Sequence, residues 1–416
     1  MLTSGPITEM VERTARAYRN DRLWKGLDRR FEHFGRQLSY ALGDRAPNVS
    51  LHCPGYVDPA SDPQERRLVE RIFAAYKCMK RDEAKAAAVY RPASVWDEQL
   101  RRAYQPFLLA LERDDISGFH FFLANFGTWK QYHGLESTTL LWDNMRTVLG
   151  RRYLKHAVFL TQVEQCLRLT GGRTPASSLS YPLHGNQSGA YVEGVFVGAF
   201  SCASELYGSQ IAGILSDRHR PVVAELGAGY GRLAYFLLRD LPRFAYVDFD
   251  LPEPLCVAAY YLMKTWPEKR ALLYGEANDG GVPDLTNDLV FLPSFTIDQV
   301  PAEPIVDLFL NTYSLGEMPA TAASHFVRQA ATWSHYIFHV NHDQWPVPFD
   351  DGSVGLLGWQ YPIPPEQWKL LFRESDRSAL LGFQEFESDI FCYLYGRRGA
   401  AAPRTCSSIS SGFAAT

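Results

Sequence analysis

From Met10 to Leu42 apolar residues return every three or four positions: Val11, Ala15, Leu23, Leu27, Phe31 and Phe34, with charges between them. That period predicts an amphipathic helix. Gln64 to Lys80 repeats it with Leu68, Ile72, Phe73 and Tyr76. Trp96 to Leu111, Phe119 to His133 and Thr138 to Leu169 follow the same rule. Pro54-Gly55, Asp62-Pro63 and Gly171-Gly172 break it. Residues 1–172 are therefore expected to form a mainly helical N-terminal domain. Residues 173–195 lose the period and are rich in Ser, Gly and Pro. A connecting loop that can fold over a pocket is expected there.

From 196 to 398 the pattern alternates. Short apolar runs predict strands at Pro221–Leu226, Phe244–Phe249, Ala271–Tyr274, Leu289–Leu292, Val306–Asn311 and Tyr336–Val340. Helical periods lie between them at Ala203–Leu215, Arg232–Leu241, Pro254–Thr265 and Ala320–Trp333. A last helix, Pro365–Phe372, precedes a β-rich stretch, Gly382–Tyr395. Strand and helix in alternation imply an α/β fold, a mostly parallel sheet with helices on both faces. Residues 399–416 are small and polar, and disorder is expected.

The 416 residues fit two domains, and 46% hydrophobic with 21% charged residues is globular composition. A net charge of −4 without a long basic run suggests neither nucleic acid nor an anionic membrane as partner. No stretch of ~20 apolar residues is present to span a bilayer. The N-terminus lacks the apolar core of a signal peptide. Seven irregularly spaced cysteines form no CxxC pair, so neither a disulfide framework nor a zinc site is expected. Reduced thiols in the cytoplasm fit best.

The informative segment is Val222–Gly231, VVAELGAGYG. A buried strand runs into a glycine turn, and a helix opens directly after it. Glycines let the backbone approach a ligand closely, and the free N–H groups of the helix start point at it. A dinucleotide fold requires G-x-G-x-x-G/A, but Arg232 stands where Gly or Ala is needed. The spacing is instead Glu225-x-Gly227-Ala228-Gly229-Tyr230-Gly231. A nucleoside on such a turn presents ribose hydroxyls to a carboxylate at the end of the next strand, about 20 residues on. Asp250 in YVDFDLPE stands 23 residues after Gly227, followed by Leu251. Asp248 shares its face, and Asp250 is preferred because it ends the strand.

The E-x-G-x-G-x-G string resembles motif I of Rossmann-like methyltransferases. Three runs, AELGAGYGRLAYFLL, YVDFDLPEPLCVAAYYL and DLFLNTYSLGEMP, resemble the sugar O-methyltransferase family typified by an enzyme of polyether-antibiotic biosynthesis. The likeness covers about residues 180–345, and the first 170 residues add little to it. It implies S-adenosylmethionine as cofactor and a hydroxyl acceptor on a small molecule or glycan, such as a deoxysugar. It also implies Ser294 and Phe295 beside the adenine, with the segment from Asn311 to Glu317 near the transferred methyl. Rival readings are a methyltransferase acting on nitrogen or on a polyketide or peptide, and a non-catalytic cofactor-binding partner. A homodimer is compatible with either.

A hydroxyl must lose its proton to attack the methyl, so a general base is needed. His342, beside Asp343 after the fifth strand, is the first candidate, Glu317 the second and His184 the third. No spacing demands a metal. Trp345, Trp359, Tyr361 and Trp368 are aromatic faces for a sugar, with core packing as the plainer role.

Overall fold

A computed structural model describes residues 48–59, 62–92, 94–129, 151, 154–172, 174–241, 243–276, 283–376 and 389–399. The expected helix Met10–Leu42, parts of Phe119–His133, Thr138–Leu169 and Gly382–Tyr395, and the expected tail from 400 on lie outside these residues.

In chain order the elements begin with strand β1 (Val49–His52) and helix α1 (Pro63–Glu83). Asp62 caps α1 by accepting from the Gln64 N–H, and Pro63 occupies the first turn, where a missing donor costs nothing. Helices α2 (Ser94–Ala103) and α3 (Gln105–Glu112) follow. One helix was expected over Trp96–Leu111. It divides at Tyr104, ahead of Pro106. Helix α4 (Ile116–Asn125) is capped by Asp115, and α5 (Thr161–Leu169) continues a π-helical stretch, Leu154–Leu160.

The expected connecting loop carries regular structure. Strands β2 (Gly189–Val192) and β3 (Val195–Val197) form a hairpin, and β2 pairs antiparallel with β1. The tight turn at Glu193-Gly194 hid this hairpin among polar residues.

Next come α6 (Ser201–Ile214), β4 (Val222–Leu226), α7 (Arg232–Asp240), β5 (Ala245–Asp250), α8 (Pro252–Thr265), β6 (Ala271–Leu273) and β7 (Leu289–Pro293). Then follow β8 (Val306–Thr312), α9 (Ala320–Trp333), β9 (Ser334–His342), β10 (Trp368–Ser375) and β11 (Ile390–Arg397). Eight strands form one sheet in the order β10-β11-β9-β8-β4-β5-β7-β6. Pairs from β6 to β9 are parallel, while β11 runs antiparallel to both β9 and β10. The protein is thus a doubly wound α/β fold of Rossmann-like type. Its order reverses at β4, which has β5 on one side and β8 on the other, and ligands of such sheets bind beyond the strand ends at that point.

The expected helix Pro365–Phe372 is instead the edge strand β10. Pairing with β11 outweighs local preference, and a bulge between Leu370 and Phe372 bends the strand.

Each sheet face has its own core. Ile72, Phe119, Leu233, Tyr246, Leu255 and Leu308 belong to one, which unites the N-terminal helices with α6, α7 and α8. Phe309, Phe326 and Trp333 belong to the other, under α9. Helix α1 lies on α8 through two polar clusters. Glu65 accepts from Tyr260, Lys264 (2.7 Å) and His120 (3.1 Å). Glu253 accepts from Tyr76 (2.9 Å) and Lys80 (3.0 Å).

Burial works to raise the Glu65 carboxyl, but bonds from Lys264, Tyr260 and His120 hold it down at about 2. A depressed carboxyl stabilises the fold above its unfolded value and loses that contribution as pH falls toward the folded value. Glu65→Ala should therefore reduce unfolding free energy by roughly 3 kcal/mol at neutral pH, because it strands buried partners. Urea denaturation should show the gap between the two proteins closing below about pH 4. An equal gap at all pH values would contradict this role.

Candidate functional site

The turn after β4 has the conformation its glycines suggest. Gly227, Gly229 and Gly231 have φ of 77°, 63° and 83°. A Cβ on Gly227 would lie 2.3 Å from Ser314 Oγ, and one on Gly231 would meet Leu262 at 3.0 Å. Residues 227–229 are half-buried, so the turn is reachable, whereas Tyr230 is packed between Phe126 and Tyr261. Helix α7 begins at Arg232, aiming its first N–H groups at the turn.

Asp250 stands against that turn. Its Oδ2 accepts from the Gly229 N–H at 3.1 Å, and its Oδ1 from the Leu251 N–H at 2.7 Å. The backbone registers this contact: β4 and β5 pair Leu226 with Phe249, and the Gly227 N–H donates to the Phe249 carbonyl at 2.8 Å. Burial raises the Asp250 carboxyl to about 7. The Leu251 and Gly229 N–H groups pull it down, while Glu317 and Glu253 push it up.

Two more carboxyls lie behind it. Glu225 is paired across the strands with Asp248 and accepts from the Tyr246 hydroxyl at 2.6 Å. Asp248 is fully buried, and the Ala228 backbone N–H is the one group that favours its anion. Burial, then Asp250 and Glu225, push it well above the usual carboxylate range. Glu225 is 1% exposed, so it braces the turn from within the sheet.

Asn311 is also turned inward. Its Nδ2 donates to the Leu226 carbonyl (2.9 Å) and Ser314 Oγ (2.5 Å), and its Oδ1 accepts from Asn341 (3.0 Å) and the Leu315 N–H (3.3 Å). All four of its hydrogen-bonding positions are used, so it anchors the turn to β8 and its side chain has none left for a ligand. Beyond β8, Tyr313 has φ 70°, a strained value for a residue with a side chain. Its hydroxyl lies 3.3 Å from that of Tyr207 and 3.4 Å from the buried carboxylate of Asp376.

At the end of β7, Ser294 is buried. The half-buried Phe295 meets Tyr274 edge to face at 5.8 Å. At the end of β9, His342 is one-third exposed, and its Nδ1 lies 2.7 Å from Asp389 Oδ2. Asp389 also accepts from the N–H groups of Gln344 (2.6 Å) and Trp345 (3.2 Å). The neighbour Asp343 faces elsewhere, held by Arg373 and the Tyr393 hydroxyl. His342 lies close to the Gly316 backbone, in the same loop as Glu317. Glu317 accepts from the Trp96 indole N–H of α2 at 2.8 Å. His184 lies apart, beside Tyr261 (ring centres 6.4 Å), and burial lowers its pKa.

Tyr361 and Trp368 are core residues, 6% and 2% exposed. Trp345 and Trp359 alone keep accessible faces among the four aromatic candidates. Asp389 escaped sequence reasoning because it lies 47 residues from its histidine. Among the described residues no group of three or more His, Cys, Asp or Glu could hold a metal ion. No described helix is long and apolar enough to cross a membrane.

No family model matches the chain, and no curated protein matches it in sequence. Several solved structures align with part of it. One is a mitomycin 7-O-methyltransferase at 12% identity, covering 47% of this chain and 55% of that one, TM-score 0.32. The chain thus spans about half the length of that protein. A second is the 1,6-didemethyltoxoflavin-N1-methyltransferase of Burkholderia thailandensis, at 15% identity, 47% and 78% coverage and TM-score 0.31. The [4+2]-cyclase SpnF aligns at 12% identity over 58% and 94%, TM-score 0.35.

Gly227→Ala should cost about 2 kcal/mol in urea denaturation, through its φ and the clash with Ser314. Gly194→Ala is the control: its φ is 81° but nothing lies within 4 Å, so only the backbone cost of about 1 kcal/mol applies. Equal losses would show that the Ser314 contact is slack.

Proposed function

We propose that this protein is an S-adenosylmethionine-dependent O-methyltransferase. Its acceptor is a hydroxyl, of a sugar on a natural product or glycan. The observation that carries the reading is the Asp250–Gly229 contact of 3.1 Å at the sheet's switch point. It joins a turn open to a ligand with a carboxylate suited to two ribose hydroxyls. The sugar acceptor rests on the sequence resemblance, and the exposed faces of Trp345 and Trp359 are compatible with it.

The chain's residues fit the cofactor. Gly227, Ala228 and Gly229 leave room for it, Asp250 accepts from its ribose, and the Leu251 backbone, Ser294 and Phe295 lie toward its base. Glu225, Tyr230, Gly231 and Asn311 hold the turn in shape. When bound, S-adenosylmethionine supplies a methyl group already activated on a sulfonium. The protein therefore has two tasks, positioning and proton removal. His342 takes the hydroxyl proton at Nε2. Asp389 holds the Nδ1 proton, which fixes the tautomer and stabilises the charged imidazole that results. Glu317 is the second candidate base, with one carboxylate oxygen held by the Trp96 indole N–H.

Calorimetry with S-adenosylmethionine should show micromolar binding to the native chain and none to Gly229→Arg, whose side chain would fill the turn. Unchanged affinity in that variant removes the site from this turn. Ribose binding needs ionised Asp250. Affinity should therefore rise roughly fivefold to tenfold from pH 6 to pH 8 as the carboxyl titrates through about 7. Stability without ligand runs the other way: a raised carboxyl favours the fold at low pH and loses that contribution as pH rises through about 7. Affinity that is flat over this range would exclude Asp250 as the ribose acceptor.

A further inference from the structure

Helix α2 spans the cleft at the sheet's carboxyl edge. Near its start Trp96 bonds Glu317, in the loop after β8. Just past its end Tyr104 is fully buried, against Phe107 and Phe122. These two residues are eight apart, a span of about 12 Å along a helix. The second anchor is unusual in its chemistry. The Tyr104 hydroxyl is buried with no hydrogen-bond partner. So is Oε2 of Glu253, whose Oε1 is bonded by Tyr76 and Lys80. One orphan is a donor and the other an acceptor. The carboxylates of Asp250 and Glu253 both act on the Tyr104 phenol, which burial has already pushed up. The packing agrees: Tyr76, which bonds Glu253, meets Phe107 at 5.7 Å, and Phe107 meets Tyr104 at 5.9 Å. Buried polar atoms are seldom left unpaired, so a partner is expected.

We propose that Tyr104 and Glu253 are cofactor-contacting residues. Their orphaned hydroxyl and carboxylate oxygen are paired by the bound nucleoside, so that α2 forms a wall of its pocket. The proposal rests on the methyltransferase reading, because it takes S-adenosylmethionine as the nucleoside. One ribose hydroxyl can donate to Asp250 and the other to Glu253, while either accepts from Tyr104. The oxygens are sealed in the present packing, so the α2–α3 junction must yield for the ligand to enter and close again over it. The Trp96–Glu317 bond is the contact that reports that closure from the acceptor side.

The test is calorimetry with S-adenosylmethionine on the full chain, beside its thermal unfolding without ligand. Tyr104→Phe keeps the ring packing and removes only the hydroxyl. The expected result is a Kd raised about fivefold to tenfold, with unliganded Tm equal to or above that of the native chain. Trp96→Phe should weaken binding less, about twofold to threefold, with the indole N–H lost. Glu253→Gln, if it folds, should match Tyr104→Phe in affinity. An unchanged Kd for Tyr104→Phe overturns the proposal and leaves the hydroxyl as a buried defect or a partner of ordered water. No binding by the native chain overturns both this proposal and the methyltransferase reading, whereas native binding that ignores Tyr104 overturns this one alone.

Discussion

Parallel pairing of β4 with β5 is the constraint from which the site follows. Pairing of Leu226 with Phe249 brings the Gly227 N–H to the Phe249 carbonyl. The chain of β4 must then turn at once, while the next residue of β5, Asp250, extends beside the turn. Strand alternation puts Asp250 on the same face as Asp248 and Tyr246. A slip of one residue would turn Asp250 to the opposite face and Phe249 toward the ligand. The register is fixed by two buried faces, because each strand here packs helices on both sides. The site is thus a product of sheet geometry before any individual side chain is considered.

Much of this was legible in the residues. Buried parallel strands read as short apolar runs, and the ends of those from 222 to 342 moved by only a residue or two in either direction. Asp250 was legible because the distance from turn to carboxylate is set by one helix and one strand. What escaped depended on contacts distant in the chain. Asp389 meets His342 because β11 inserts between β9 and β10, pairing Ile390 with His342. Nothing local encodes that. Asn311 read as a ligand contact, yet its amide is spent on Leu226, Ser314, Leu315 and Asn341. A polar residue at a strand end can serve the ligand or the turn that serves it, and spacing does not distinguish the two. Pro365–Phe372 failed for a related reason. At an edge, hydrogen bonds from β11 decide the conformation, and local preference carries little weight.

The N-terminal helices are bound into the same framework. Their apolar faces enter the core that covers β4, β5 and β8. Helix α1 also presents Glu65, Tyr76 and Lys80 to α8, where they meet Tyr260, Lys264 and Glu253. Buried ion pairs of this kind add little net stability over apolar contacts, because desolvation offsets attraction. They are costly to break, however, so they define one relative position of α1 and α8. A cleft whose walls come from both parts of the chain needs that single position more than it needs extra stability.

Charge at the cleft gives the same arrangement a further consequence. Asp250, Glu253 and Glu317 approach one another with Asp248 buried behind, and burial first, then repulsion from Glu317 and Glu253, raises Asp250. No arginine or lysine among the described residues bonds Asp250. Asp250 therefore has no cationic partner among the described residues, in a site whose low dielectric strengthens each interaction. Under the proposed function the ligand carries a positive sulfonium, which favours the ionised forms. Transfer of the methyl removes that positive charge. The spent cofactor then faces the same carboxylates with one attraction fewer. The acidity of this edge thus favours the charged cofactor over its product and assists release after each transfer, while the turn and Asp250 recognise the part common to both.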